Sequence, residues 1–308
     1  MEMSTSRLNA QPSIGFIGLG AIGLPIAANL LRAGFPLKVH TRSRAAETNK
    51  QLKGAQPCSN PKEAAKGCDV LMICVSDGHA VEEVLFGPKG ASNSLLSGQI
   101  VIDLSTISPA HAKSFAAKLA KKDVEYIDAP VTGGTEGAQK GTLTIFVGAN
   151  DVRLKKIISI LKPIGNNFYS FGNVGKGQEV KAINQVLVAG SYAAVAEAIV
   201  LGQALNLPMK TVVEALQKGA ASSWALANRS QSMLKDIYPL GFKLHLHHKD
   251  LSIALKTAEE SGLQLPITSK VKELEEGLIE QGYQDQDVSV LKKAIKIELC
   301  NNGQENKV

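Results

Sequence analysis

From Ser13 onward the chain reads SIGFIGLGAIGLPIAANLLRAGFPLKVHTRSRAAE, and Gly18, Gly20 and Gly23 in it follow the spacing G-x-G-x-x-G. An apolar run ends at Gly18. A helical pattern through Ile26, Ala27, Leu30 and Leu31 follows and stops at Gly34, and a second apolar run covers Leu37 to His40. Strand, glycine turn, helix and strand in that order give the spacing its meaning as a dinucleotide-binding unit. Gly18 allows the tight turn, Gly20 lets the backbone approach a pyrophosphate, and Gly23 lets helix and strand pack closely. The helix N-terminus offers free amides and the positive end of its dipole to that anion. Cofactor contacts are expected along Gly18, Leu19, Gly20, Ala21, Ile22 and Gly23.

The end of the second strand separates the two nicotinamide cofactors, because an acidic residue there holds the ribose 2′-OH of NAD. Here the chain runs through His40, Thr41, Arg42, Ser43 and Arg44 with no carboxylate. Arg42 can stack on adenine and pair with a 2′-phosphate, with Thr41, Ser43 or Arg44 as further donors. NADPH is therefore the expected cofactor, with NADH possible. Val70 to Val75 reads as a buried parallel strand, and its end at Val75 and Ser76 is expected beside a cofactor ribose. Ile100 to Leu104 reads as another, ending in Ser105 and Thr106 as nicotinamide neighbours, with Asp103 structural and Ser108-Pro109 opening a helix.

Tyr126 to Ala129 reads as a strand stopped by Pro130, and Thr132-Gly133-Gly134 as a turn whose bare amides suit a carboxylate. Leu143 to Gly148 and Phe168 to Phe171 supply the last strands, and the glycines between Gly172 and Gly177 a hinge. Past the hinge, about 26 residues up to Asn206 are almost uninterrupted by polar groups, enough for a helix of roughly 39 Å. Being apolar nearly all round, it is expected to be buried on every side, as a spine between two domains. Lys181, Asn184, Gln185, Glu197 and many small residues make it a poor membrane span. Lys181 lies one turn in, with Asn184 and Gln185 on the same face at i+3 and i+4. A lysine in such a helix needs a partner or a task unless it snorkels to water.

The remainder reads as helices over Pro208 to Lys218, Trp224 to Lys235, Lys249 to Gly262, Pro266 to Gln281 and Val288 to Glu298. Only Phe242-Lys-Leu-His-Leu-His has strand-like alternation. His245, His247 and His248 lack the companions of a metal site, so no metal is expected. Lys249-Asp250 opens a helix and can hold an acidic ligand. The fold class is α/β: an N-terminal Rossmann doubly wound sheet, a long interdomain helix and an all-α C-terminal domain. Residues 1–12 are expected to be disordered, 13–174 to form the dinucleotide-binding domain, 175–300 a helical substrate and oligomerisation domain, and 301–308 a tail. The apolar helical part suits a homodimer or homotetramer.

The net charge of +6 is dispersed, with no run of lysine or arginine longer than two. That balance suits small carboxylates and phosphates and offers no track for nucleic acid. Cys58, Cys68, Cys74 and Cys300 form no CxxC pair, as in reduced, cytoplasmic proteins. The start MEMSTSRLNAQPS has no secretory apolar segment, and neither a membrane nor a nucleic acid is an expected partner.

Four motifs in order resemble those of the β-hydroxyacid dehydrogenase family, which holds 3-hydroxyisobutyrate dehydrogenase and tartronate semialdehyde, glyoxylate and succinic semialdehyde reductases. They are GFIGLGAIGLPIAANL, with Ile22 and Ile26 where Met is frequent; DAPVTGGTEGAQKGTL, with Thr132 where Ser is common; GKGQEVKAINQ; and FKLHLHHKDL. Gln185 stands where many members have a second asparagine, a form similar to the tartronate semialdehyde reductase branch. Whether Asn184 or Gln185 touches substrate stays open on this resemblance. The resemblance implies hydride transfer between a nicotinamide and a small aldehyde or keto acid bearing a carboxylate. Lys181 would then be the catalytic acid and Asn184 the group that orients substrate. Thr132, Gly133 and Gly134 would bind the carboxylate, and Lys249 with Asp250 would lie by the cofactor or the anion. It implies NADPH-dependent reduction of glyoxylate, succinic semialdehyde or tartronate semialdehyde. Alternatives are 3-hydroxyisobutyrate oxidation, or a non-catalytic NADP-binding module, which Lys181 argues against.

Overall fold

The computed structural model describes residues 11–295. Expectations for residues 1–10, Cys300, the end of the last helix and the 301–308 tail lie outside the described residues. The chain divides into two compact units, with the division between Lys181 and Ala182.

In the first unit the elements alternate as β1 (Ile14–Ile17), α1 (Gly23–Arg32), β2 (Leu37–His40), β3 (Gln56–Pro57), α2 (Pro61–Ala65), β4 (Val70–Ile73), α3 (Gly78–Phe86), β5 (Ile100–Asp103), α4 (Pro109–Ala120) and β6 (Glu125–Asp128). The six strands form one parallel sheet in the order β3-β2-β1-β4-β5-β6. That is the doubly wound order, whose reversal between β1 and β4 makes a crevice beyond the strand ends. Every residue of β1 and of β4 is buried, as a parallel strand covered on both faces requires. Alternate side chains go to opposite layers: Phe16 and Met72 pack with Ile26 and Leu30, while Ile17, Leu71 and Ile73 pack with Val81 and Phe115.

The strands expected last do not extend this sheet. β7 (Val131–Thr132), β8 (Leu143–Val147) and β9 (Gly165–Ser170), with α5 (Gly134–Lys140) and α6 (Asp151–Leu161) between them, make a separate three-stranded sheet. β7 runs antiparallel to β8, so the chain reverses between Thr132 and Leu143, through α5, instead of adding a parallel strand to the first sheet.

α7 (Lys176–Ala204, 29 residues) starts in the first unit and continues through the second. The expectation of burial on every side is wrong. Ile183, Leu187, Leu201 and Leu205 are 62%, 69%, 61% and 59% exposed, whereas Ala189, Ala196 and Ile199 on other faces are buried. The buried faces pack in the second unit with residues such as Val213, Leu226, Met233 and Leu251. An apolar circumference is covered only where neighbours exist, and here an apolar stripe is left open. By length and composition this helix could cross a membrane, with 44% of its most apolar window buried inside the protein.

The second unit continues with α8 (Met209–Leu216), α9 (Trp224–Lys235), α10 (Leu244–Glu260) and α11 (Pro266–Glu280), then a 3₁₀ turn at Val288–Val290 that leads into helix over 291–295. The Phe242 to His247 alternation does not make a strand: only Lys243 bridges, to Asp287, and α10 begins at once at Leu244. The amides of Leu244 and His245 donate to the carbonyls of Gln286 and Gln284, distant groups that satisfy an otherwise unpaired helix start. Lys249 and Asp250 consequently lie inside α10 and do not open it. His247 is fully buried, with Nδ1 2.5 Å from the Glu275 carboxylate, and ties α10 to α11.

Candidate cofactor and substrate site

The three glycines of the fingerprint have three separate steric reasons. A Cβ on Gly18, at φ +100°, would overlap the Cys74 carbonyl, and one on Gly23 would overlap the carbonyl of Gly18. A Cβ on Gly20 would meet nothing within 4 Å, so it would only fill open space in front of α1. The amides of Gly20, Ala21 and Ile22 make no hydrogen bond among the described residues, and Ile22 caps α1 without a side-chain acceptor. Leu19, Gly20 and Ala21 line a groove of about 380 Å³ together with Ala46, Asn49 and Gln51. Free amides, a helix dipole and unfilled space at Gly20 fit a dinucleotide pyrophosphate.

At the end of β2, Arg42 and Ser43 are exposed, and their side chains make no hydrogen bond among the described residues. The Thr41 hydroxyl accepts from the Leu19 amide at 3.4 Å, which joins this turn to the glycine loop. Arg44 is occupied: its Nε lies 2.8 Å from Glu47 Oε2. The other carboxylate oxygen of Glu47 accepts from the Thr41 amide at 3.0 Å. A carboxylate thus stands behind the strand end that carries none in sequence.

The ends of β4, β5 and β6 are wired together through α7. Ser105, buried, accepts the Val75 amide on its hydroxyl at 3.0 Å, and its carbonyl accepts from Gln178 Nε2 at 2.8 Å. Gln178 also accepts from the Ile107 amide at 3.1 Å. Asp128, fully buried, accepts from the amides of Gly175 and Gln178 at 2.8 and 2.9 Å and so caps the start of α7. Burial pushes its carboxyl up in pKa, against the pull of those amides. Burial likewise raises Asp103 to about 6, although Tyr126 and the Ser105 amide donate to it. Sequence reasoning missed Asp128 and Gln178. Both stand inside motifs quoted above, DAPVTGGTEGAQKGTL and GKGQEVKAINQ, but each becomes informative only once the strand ends converge. Thr106 is half-buried beside this wiring, and Ser76, exposed, donates to the Asp77 carboxylate.

With its first turn fixed in this way, α7 places Lys181 at 6% exposure, its Nζ donating to the Val131 carbonyl at 2.9 Å. Val131 directly precedes Thr132, Gly133 and Gly134. The two glycines have φ of +128° and +64°, a conformation that successive side chains would resist, and Gly133 leads into α5 with no side-chain cap. The structure therefore brings the ammonium and the glycine turn together.

The second unit holds the other group. Lys249 Nζ lies 2.8 Å from Asp250 Oδ1, Gln185 Nε2 donates to Asp250 Oδ2 at 2.6 Å, and Asn184 Nδ2 donates to Gln185 Oε1 at 2.7 Å. Gln185 and Asp250 are buried, with both ends of the Gln185 amide committed, while Asn184 is half-buried. Among the described residues no group of three or more His, Cys, Asp or Glu side chains is placed to hold a metal.

Residues 13–172 match the family described as "NAD binding domain of 6-phosphogluconate dehydrogenase", and residues 175–295 that described as "NAD-binding of NADP-dependent 3-hydroxyisobutyrate dehydrogenase". The chain is 36% identical to the 2-(hydroxymethyl)glutarate dehydrogenase of Eubacterium barkeri, over 91% of this chain and 93% of that protein. It is 37% identical to the 2-hydroxy-3-oxopropionate reductase of Escherichia coli (strain K12), over 92% of this chain and 97% of that protein. A solved structure of Psf3 in complex with NADP+ and 2-OPP superposes with a TM-score of 0.85 at 25% identity, over 92% of this chain and 99% of that one.

Proposed function

Because the chain belongs to the β-hydroxyacid dehydrogenase family, we propose that it reduces a small aldehyde or keto acid to the hydroxy acid with NADPH, using Lys181 as general acid. It is an NAD(P)-dependent oxidoreductase of small hydroxy and oxo acids. A bound nicotinamide cofactor supplies the hydride. The chain itself must hold the substrate, polarise its carbonyl and deliver a proton to the oxygen.

The observation that carries the proposal is the Lys181 ammonium, buried and hydrogen-bonded to the carbonyl that precedes the glycine turn. The amides of Gly133 and Gly134 and the Thr132 hydroxyl are suited to the substrate carboxylate. From there the ammonium can reach the carbonyl oxygen, stabilise its growing negative charge and give up a proton. Asn184, one turn along the same helix, orients the substrate, since Gln185 is committed to Asp250. On the cofactor side, the exposed Arg42 takes the 2′-phosphate, with Thr41 and Ser43 beside it.

Tartronate semialdehyde heads the substrate candidates, followed by glyoxylate and succinic semialdehyde. The Asn184-Gln185 pair supports it, as does the likeness to a reductase of 2-hydroxy-3-oxopropionate, the same compound under another name. The likeness to a 2-(hydroxymethyl)glutarate dehydrogenase supports a second reading, oxidation of a larger β-hydroxyacid. We place the protein in the cytoplasm as a homodimer or homotetramer. The free thiols of Cys58, Cys68 and Cys74 and the open apolar stripe of α7 support these choices.

The test is kcat/KM across a panel of semialdehydes, 2-oxo acids and β-hydroxyacids, followed by Lys181→Ala on the best substrate. The substitution is expected to lower kcat by about 10² to 10⁴-fold while NADPH still binds. Turnover near that of the wild type refutes the role given to Lys181.

A further inference from the structure

A carboxylate near the second strand's end is the feature that ordinarily accompanies NAD. Glu47 lies there, yet it is turned inward, only 5% exposed, with both oxygens engaged. A buried carboxylate is tolerated only when it is paired and hydrogen-bonded, and Glu47 has two such neighbours. They are the Thr41 amide and the Arg44 guanidinium, while His40 Nδ1, 3.6 Å from the carboxylate, is hydrogen-bonded to the Cys58 carbonyl. The backbone between them is bent to suit. Arg44 has φ +62°, a left-handed conformation that a residue with a side chain rarely adopts, and the Glu47 amide donates back to the Arg44 carbonyl at 3.0 Å. The short 3₁₀ segment Ala45–Thr48 that carries Glu47 also supplies Ala46 to the groove in front of the glycine loop.

We infer that Glu47 is a positioning residue for cofactor choice: by holding the Thr41 amide and Arg44 it shapes the turn that leaves Arg42 to meet the 2′-phosphate. This rests on the proposed use of NADPH. Arg44 has a second duty in the same arrangement, since it covers a negative charge that would otherwise repel a phosphate or accept a ribose hydroxyl. The basic strand end therefore contains one arginine for the ligand and one for the protein's own acid. Arg42 is exposed without a partner among the described residues, whereas Arg44 spends its Nε on Glu47.

Binding of adenosine 2′,5′-bisphosphate and of 5′-AMP, measured calorimetrically on the full chain, separates the two layers of this reading. The wild type is expected to prefer the bisphosphate. Glu47→Ala, which removes both contacts, should reduce that preference by about tenfold or more, the scale of a lost charge-assisted contact. Glu47→Gln, which keeps an acceptor for the Thr41 amide, should recover part of it, and a purely structural role predicts no such graded change in preference. Arg44→Ala, which uncovers the acid, should also lower the preference, and with Glu47→Gln it decides the matter if Glu47→Ala does not fold. A wild-type preference retained within about twofold in the folded variants overturns the role of Glu47 alone. A wild type indifferent to the 2′-phosphate overturns the NADPH proposal and this inference with it.

Discussion

Two strand ends of the same sheet each keep a buried carboxylate, and they use it in opposite ways. Behind β2, Glu47 pairs with a guanidinium whose other end is exposed and with one amide, so the acid shapes a surface turn. Behind β6, Asp128 spends both oxygens on the amides of Gly175 and Gln178 and so anchors a 29-residue helix. Glycines crowd the second acid as well: a Cβ on Gly148 or Gly177 would run into the Asp128 carboxylate. On the role inferred for Glu47, the same functional group would set a ligand preference where it is matched by a half-exposed side chain, and a scaffold where it is matched by backbone. The two should respond differently to loss.

The largest effect is expected at the anchoring end. Asp128→Ala leaves two buried amides without an acceptor, at about 1 to 3 kcal/mol each, so chemical denaturation should show a loss of several kcal/mol. Because Lys181 lies one turn further on, kcat should fall too. A loss below about 0.5 kcal/mol, the level of an ordinary surface change, would erase the contrast between the two ends.

At the β2 end the effect should fall on selectivity. Arg42→Ala is expected to lower the NADPH over NADH ratio of kcat/KM by about 10 to 100-fold, the range of one charged hydrogen bond, with stability unchanged within about 0.5 kcal/mol. An unaltered ratio would show that this strand end does not read the 2′-phosphate.

The most gradual effect is a pH dependence from Asp103, between these ends, spread over about two pH units. Its pKa rises from 3.8 unfolded to about 6 folded because burial disfavours the charged form. The folded state therefore holds the proton more tightly. Its contribution to stability is present below 3.8 and declines as pH rises through about 6. The slope is on the order of 1 kcal/mol per pH unit inside that window. Thermal melts of Asp103→Asn across the same window should lose this decline, and a decline of equal steepness in the variant would assign it to another group.

How much of this was legible in the sequence depends on the range of the physics involved. The positive φ at Gly18 and the contact of Gly23 with the Gly18 carbonyl are local, so spacing alone located the turn, and its neighbours in the chain supplied the strand and helix around it. Lys181 stood out because a charge in an apolar helix needs compensation. Asp128 and Gln178 could not be found that way, since their partners arrive from 47 and 71 residues away. Glu47 was hidden by a left-handed Arg44 that folds the chain back on itself, which no propensity suggests. The start of α10 was misread because Leu244 and His245 have strand-like alternation, while the carbonyls that let a helix begin there come from Gln286 and Gln284. The burial of α7 was overestimated for a related reason: a sequence displays which faces are apolar without displaying which of them have company.

The difference among the fingerprint glycines has a practical consequence. Gly18 and Gly23 are part of the framework, and any methyl group there collides with main chain. Gly20 faces vacant space and has an unstrained backbone, so a bulkier residue there is expected to block the proposed pyrophosphate seat and to leave the architecture undisturbed. Fold and occupancy come apart at that single position, which makes it the natural place to build an intact, nucleotide-blind version of this enzyme.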